Sequence, residues 1–144
     1  MSGLEKILVP TDFSDASKAA LKYACGLADQ VDASLCILHT VEDPYQLGTY
    51  SEYYTPPPEF AERIERRASA ELQDVLTPEQ REHYRATLVL RHGAAAHEIV
   101  KYLQEHTDVG LVVMATHGRG GVARLMMGRV AGKVLSAAPC PVLS

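Results

Sequence analysis

The feature that most constrains the fold of this chain is a regular alternation between short apolar runs and segments with helical spacing. Five apolar runs are predicted to be β-strands, at residues 5–10, 34–41, 84–90, 109–115 and 141–144. Between them, apolar residues recur every three or four positions, which predicts helices at residues 15–31, 60–75, 96–103 and 128–137. Strands that alternate with helices at this spacing predict an α/β fold, a doubly wound parallel sheet with helices on both faces.

The length and charge of the chain restrict its domain organisation and its partners. With 144 residues it can bury one hydrophobic core, which predicts a single domain over residues 1–144. The formal net charge of −4 gives no support for a nucleic-acid partner. The apolar runs are too short to cross a membrane, and the N-terminus lacks the pattern of a signal peptide. We therefore expect a cytoplasmic protein without a nucleic-acid or membrane partner.

A glycine-rich segment near the C-terminus is the strongest indication of function. The apolar run 111–115 ends at a polar loop with Gly118, Gly120 and Gly121, and a further glycine, Gly128, is predicted to open the last helix. A buried strand, a flexible loop and a helix N-terminus in this order are typical of an anion site, because free N–H groups and the helix dipole both favour negative charge. The segment predicts that the protein holds the phosphates of a nucleotide.

The loops after the first and fourth predicted strands are expected to meet, because ligands of such sheets bind at C-terminal strand ends where the strand order reverses. Asp12 follows the first strand and is predicted either to contact a ligand at this edge, or to form an Asx turn or helix cap. The glycine cluster is either a phosphate loop or a flexible turn. Arg119 directly follows Gly118 and is the better candidate among the loop arginines for a phosphate contact.

Three segments together carry a resemblance to a known family. They are Ile7-Leu-Val-Pro-Thr-Asp-Phe-Ser14, Leu111-Val-Val-Met-Ala-Thr-His-Gly-Arg-Gly-Gly121 and Ala138-Pro-Cys-Pro-Val-Leu143. Over essentially its full length the chain resembles the universal stress protein family, in its first strand and turn, its fourth strand and loop, and its last strand. We therefore expect a Rossmann-like sheet with the strand order 3-2-1-4-5.

The resemblance also implies an adenine nucleotide as the ligand: ATP, ADP or AMP, with or without Mg²⁺. The ATP-binding branch of the family carries Gly, two residues, Gly, nine residues, Gly and then Ser or Thr. This chain has Ala115, Gly118, Gly128 and Arg129 at those positions. By the same resemblance, Asp12 would lie near the ribose or phosphates, and the backbone of Val41 would contact the adenine. The residues expected to bind the nucleotide are Pro10, Thr11, Asp12, Val41, Met114, Ala115, Gly118, Arg119, Gly128, Arg129 and Val130.

The two departures from the motif predict a weakened or altered nucleotide affinity. Loss of a serine hydroxyl that bonds phosphate forfeits roughly 1.5–3 kcal/mol, which is about tenfold to a hundredfold in affinity. The Arg129 guanidinium would offset part of this loss, since it can pair directly with phosphate. Ala115 is strained by on the order of 1 kcal/mol if its position needs a positive φ, and otherwise its methyl group costs little.

The chain is expected to act as a stress-response regulator or signalling module rather than as an enzyme. No set of nucleophile, base and orienting group can be assigned from the sequence, so no catalytic residue is predicted, and any ATP hydrolysis would be slow and incidental. The histidines do not have the spacing of metal ligands. The alternative is a dimeric interaction module that binds no nucleotide. The resemblance implies a homodimer through the last strand, and signalling implies a downstream protein partner.

Overall fold

Five parallel strands form the sheet, and their order across it is the predicted one. The structure, a computed structural model, describes residues 4–42, 57–115 and 120–144. The strands are β1 (Lys6–Pro10), β2 (Ser34–Val41), β3 (Thr87–His92), β4 (Val109–Val113) and β5 (Val142–Leu143). They lie in the order β3-β2-β1-β4-β5, and each neighbouring pair is parallel. The predicted order 3-2-1-4-5 is confirmed.

Helices connect the strands and cover both faces of the sheet. They are α1 (Asp15–Val31), α2 (Pro58–Gln73), α3 (Pro78–His83), α4 (Ala95–Glu105) and α5 (Gly120–Ala137). On one face, Ile7, Val9 and Ile37 pack against α1 and α2. On the other face, Leu8 and Leu38 pack against α4 and α5. Because successive strand residues point to opposite faces, burial on both faces explains why β1 and β2 are apolar almost throughout.

α1 begins with a serine cap. Ser14 is the N-cap, and its hydroxyl oxygen accepts a hydrogen bond from the Ser17 N–H at 3.1 Å. Asp15 stands in the first turn, where the helix dipole favours a negative charge. The chain therefore enters α1 directly from the loop after β1, in a geometry that local hydrogen bonds hold.

A short helix that the sequence analysis does not predict lies between α2 and β3. α3 begins with a capping box, in which Thr77 Oγ1 accepts from the Gln80 N–H at 3.1 Å and Gln80 Oε1 accepts from the Thr77 N–H at 2.9 Å. Proline fits the first turn of a helix, so the Thr77-Pro78 pair starts α3 after α2 has ended at Gln73. The prediction that the third strand begins at residue 84 is wrong, because β3 begins at Thr87, after Arg85 with a φ of 49°.

The last helix begins eight residues earlier than predicted. α5 starts at Gly120, so Gly128 lies inside the helix and not at its N-terminus. A glycine in a helix interior costs only about 1 kcal/mol relative to alanine, which is too little to interrupt a long helix. The prediction that Gly128 opens this helix is wrong. The N–H groups without an intrahelical partner are those of the first turn of α5, which starts at Gly120.

One carboxylate joins α1 to α3. Asp29 Oδ1 lies 2.8 Å from His83 Nε2, and Asp29 Oδ2 accepts a hydrogen bond from the Tyr84 hydroxyl at 3.0 Å. The hydrogen bonds from His83 and Tyr84 lower the pKa of Asp29. Burial and the bond to Asp29 raise the pKa of Tyr84 to about 12. Three side chains therefore fasten the end of α3 to the surface of α1.

We expect Leu8 to contribute far more to stability than an exposed leucine does. Leu8 is fully buried between the sheet and the α4 and α5 face, whereas Leu135 on α5 is exposed. Leu8→Ala should lower the free energy of unfolding by about 2–5 kcal/mol, because it leaves a cavity in a packed core. Leu135→Ala makes the same chemical change and should lower it by less than about 0.5 kcal/mol. Urea titrations measure both values, and equal losses would contradict this description of the core.

We also expect the charge of Asp29 to stabilise the fold at neutral pH and to lose that effect in acid. A carboxylate whose pKa is lowered by folding stabilises the folded state above its unfolded-state pKa, and the effect disappears as the pH falls through the folded-state pKa. In urea titrations between about pH 7 and pH 2, the wild type should be more stable than Asp29→Asn at neutral pH, and the difference should vanish at the acid end.

The variant His83→Ala is the control for this assignment. It removes one of the two hydrogen-bond donors and keeps the carboxylate. The difference in free energy of unfolding between His83→Ala and the double variant His83→Ala/Asp29→Asn should therefore be smaller than the difference between wild type and Asp29→Asn. It should disappear over the same acid range. A difference between wild type and Asp29→Asn that does not change with pH would show that the charge of Asp29 has no such role.

Candidate functional site

A cavity of about 510 Å³ lies at the C-terminal ends of β1, β2 and β4. Much of its lining is formed by residues 10–13, which are the end of β1 and the loop that follows, and by residues 38–42 at the end of β2. α2, α4 and α5 contribute the rest together with the residue that follows β4. The chain leaves β1 toward one face of the sheet and β4 toward the other, so the strand order reverses here. Ligands of doubly wound sheets bind at this position.

The cavity brings together part of the predicted set of ligand residues. The members that line it are Pro10, Thr11, Asp12, Val41, Met114 and Val130. Ala115 is buried beside Met114, and Arg129 is exposed beside Val130; neither is among the described residues that line the cavity. Gly128 lies in the interior of α5. Gly118 and Arg119 lie outside the described residues.

Asp12 is oriented by hydrogen bonds within its own loop. Its Oδ1 accepts from the Ser14 N–H at 3.0 Å and from the Ser17 hydroxyl at 2.7 Å. The first of these bonds is the Asx turn that the sequence leaves open as one interpretation of this residue. The turn does not exclude a ligand contact, because a carboxylate can accept about four hydrogen bonds. Asp12 therefore presents its charge to the cavity from a fixed position.

An aromatic pair forms one wall of the cavity. Phe13 has a φ of 66°, which is uncommon for a large side chain, and its ring centroid lies 4.2 Å from that of His39. His39 Nδ1 lies 2.8 Å from the carbonyl oxygen of Thr11, so this nitrogen carries the hydrogen of the bond. The Phe13 N–H donates to Thr11 Oγ1 at 3.0 Å. These contacts connect the loop after β1 with the end of β2.

Glu42 connects the end of β2 with α4. Its Oε1 accepts a hydrogen bond from the Ala95 N–H at 2.9 Å. The N-cap residue of α4 is Ala94, which has no side-chain hydrogen bond to the helix, so the carboxylate of Glu42 serves the first turn instead. A carboxylate at a helix N-terminus is stabilised by the helix dipole, typically by about 0.3–1 kcal/mol. The negative charge of Glu42 at the cavity is thereby partly offset.

Charged groups of α2 stand at the rim of the cavity. Arg67 and Glu71 both line it, with Arg67 Nε 3.5 Å from Glu71 Oε1, and most of the Arg67 side chain is exposed. Ile64 and Ala68 of the same helix add apolar surface. The rim therefore offers a cation for an anionic group and the interior offers apolar contact.

Several lining residues are not predicted from the sequence. They include Phe13, His39, Thr40 and Glu42, which lie within two residues of Asp12 or Val41 in the chain. Their position at the ends of the first two strands could therefore have indicated them. The residues of α2 gave no such signal, because the rotation of a helix over a cavity is set by tertiary packing.

The described part of the chain also gives information on metal sites and on membrane-spanning helices. Within it, no group of three or more His, Cys, Asp or Glu side chains is arranged to hold a metal ion. None of its helices combines the length and the apolar character that a membrane span requires.

The chain matches known proteins over nearly its whole length. The model of the universal stress protein family matches residues 3–144. The universal stress protein YxiE of Bacillus subtilis is 30% identical over 143 residues, which are 96% of this chain and 96% of that protein. The solved structure of the universal stress protein UspA from Lactobacillus plantarum has a TM-score of 0.77 at 27% identity and covers 99% of this chain and 98% of its own.

A further solved structure shares the fold and was determined with a ligand. It is a universal stress protein in complex with cAMP, with a TM-score of 0.58 at 23% identity, and the alignment covers 99% of this chain and 96% of that one. At this identity the likeness shows the fold. Together with the family model and the relatives above, the observed strand order and cavity position agree with one conclusion: this chain belongs to the universal stress protein family.

Proposed function

We propose that this chain binds an adenine nucleotide in the cavity described above and acts as a stress-response regulator. The observation that carries the proposal is that four separate segments of the chain bring predicted ligand residues to one cavity. Its volume of about 510 Å³ lies within the range of small-molecule sites, roughly 300–1,000 Å³. The universal stress protein solved with cAMP supports an adenine nucleotide as a ligand that this fold can hold.

The apolar and polar parts of the cavity suit different parts of a nucleotide. Leu38, Ile99 and Met114 offer apolar contact to a flat heterocycle. The carbonyl oxygen of Val41 accepts one hydrogen bond from the Gly93 N–H at 3.0 Å, and a carbonyl oxygen has a second lone pair for a base amino group. The carboxylate of Asp12 would accept hydrogen bonds from ribose hydroxyls.

The phosphates would extend toward the loop after β4 and the first turn of α5. An anion is favoured there by the helix dipole and by the N–H groups from Gly120 onward. Gly118, Arg119, Ala115 and Arg129 stay predicted contacts of this part of the ligand. A Mg²⁺ ion would depend mainly on the phosphate oxygens with one carboxylate, which is how proteins usually hold it.

Regulation, rather than turnover, is the proposed outcome of binding. A ligand that favours one conformation shifts its population, and a partner protein that distinguishes the two conformations then responds to the ligand. Isothermal titration with ATP, ADP and AMP tests the first step directly. If none of the three produces heat with the purified chain, and no nucleotide is released from it on denaturation, the proposed function is withdrawn.

Asp12→Asn should weaken nucleotide binding without disturbing the turn. The amide oxygen of asparagine can still accept from Ser14 and Ser17, so the loop should keep its shape, whereas the charge that strengthens a bond to ribose is lost. A neutral acceptor in place of a charged one should reduce the affinity for AMP by about three- to thirtyfold. Asp15→Asn makes the same change at an exposed position on α1 and should leave the affinity unaltered. Equal affinities for all three proteins would remove Asp12 from the proposed site.

We also infer a homodimer through β5. This strand pairs with β4 on one side, and no strand of the described ranges pairs with its other side. Leu143 on β5 is 40% exposed. An unpaired strand edge is a template for pairing with a second chain. If no nucleotide binds, this edge of β5 favours the alternative function, a dimeric interaction module.

Leu143→Arg should weaken the homodimer and leave nucleotide affinity unchanged. The charge would stand on the exposed edge strand, away from the cavity lining. Light scattering coupled to size-exclusion chromatography should show a dimer for the wild type and a monomer for this variant. Tyr23→Arg places the same charge on the exposed side of α1 and should remain dimeric. A monomeric wild type at high micromolar concentration would contradict the inference.

A further inference from the structure

One hydroxyl group at the cavity has no hydrogen-bond partner among the residues that the structure describes. Thr40 lies at the end of β2, is 8% exposed and lines the cavity. Its Oγ1 is shielded from solvent, and no hydrogen-bond partner for it exists in the part of the chain that the structure describes. Buried polar atoms in native proteins are almost always paired, so an exception in a cavity calls for an explanation.

The surroundings of Thr40 are apolar. Strand alternation places it on the same face as Cys36 and Leu38, which pack against α4 and α5. Ile99 and Met114 line the same part of the cavity. Valine has nearly the same shape as threonine and would fill this position without burying an unpaired polar atom, so packing alone does not account for a hydroxyl here.

We propose that Thr40 is a specificity residue, whose hydroxyl forms a hydrogen bond with the polar edge of the base that occupies the cavity. The inference rests on the proposed function and adds a residue that the sequence analysis does not assign. Rotation about the Cα–Cβ bond carries the hydroxyl from one staggered position to another, so it can turn toward a ligand. A hydroxyl can donate and accept, and both kinds of group are present on the edge of adenine.

The proposal predicts opposite effects on the empty protein and on binding. Without a ligand the hydroxyl is shielded from solvent and has no partner among the described residues, which destabilises the fold. A ligand that supplies a partner removes that cost. Thr40→Val should therefore raise the thermal midpoint of the ligand-free protein, by about 2–4 °C, and reduce the affinity for AMP by on the order of tenfold. A residue with a purely structural role would not change these two quantities in opposite directions.

Two matched variants control the experiment. Thr40→Ser keeps the hydroxyl and removes the methyl group, so it should retain AMP affinity within about threefold. Thr87→Val makes the same chemical change at the exposed start of β3 and should change neither the midpoint nor the affinity. Differential scanning calorimetry of the ligand-free proteins and isothermal titration with AMP supply the two readouts.

Each result has a separate meaning. If the wild type binds AMP and Thr40→Val binds it equally well, the role of Thr40 is disproved while the proposed function stands. A lower thermal midpoint for ligand-free Thr40→Val would also overturn the inference, because it would show that the hydroxyl is already satisfied. If the wild type binds no adenine nucleotide, the proposed function fails and the inference fails with it.

Discussion

The rest of this structure depends on the position of β1 between β2 and β4. Its residues Ile7, Leu8 and Val9 are fully buried, and they face helices on both sides of the sheet. Because α1 and α2 cover one face and α4 and α5 the other, the chain segments that leave β1 and β4 diverge. The cavity is the space between them. The same arrangement of helices on two faces therefore buries the central strand and leaves a cavity of ligand size at its end.

The strands and most helices could be predicted because each has its own apolar period. β2 is apolar almost throughout since it is covered on two faces, and α1 carries one buried stripe after a serine cap. The errors arose where one local signal has two meanings. A Thr-Pro pair is typical of a helix end, but here α2 has already ended at Gln73 and the pair starts α3. The glycine at position 128 is tolerated within α5, because glycine lowers helix stability by only about 1 kcal/mol.

The candidate site was predictable to the extent that it follows from strand ends. Pro10 is the last residue of β1, Thr11 and Asp12 follow it directly, and Met114 comes directly after β4, so a parallel sheet places them at one edge. The contribution of α2 could not be predicted, since the face that a helix turns to a cavity depends on its packing. That the Thr40 hydroxyl lacks a partner within the described ranges could not be predicted either, because this depends on all the groups around it and not on its neighbours in the chain.

The loop that leads into α1 has a further consequence for any ligand of the cavity. The left-handed backbone of Phe13 and the contact of its ring with His39 hold this wall in place without the help of a bound molecule. The conformational entropy of that aromatic side chain is therefore lost when the protein folds, and a ligand does not have to immobilise it again. Recognition along this wall is preorganised. The strain of the Phe13 backbone lowers the stability of the protein and does not lower the affinity of the complex.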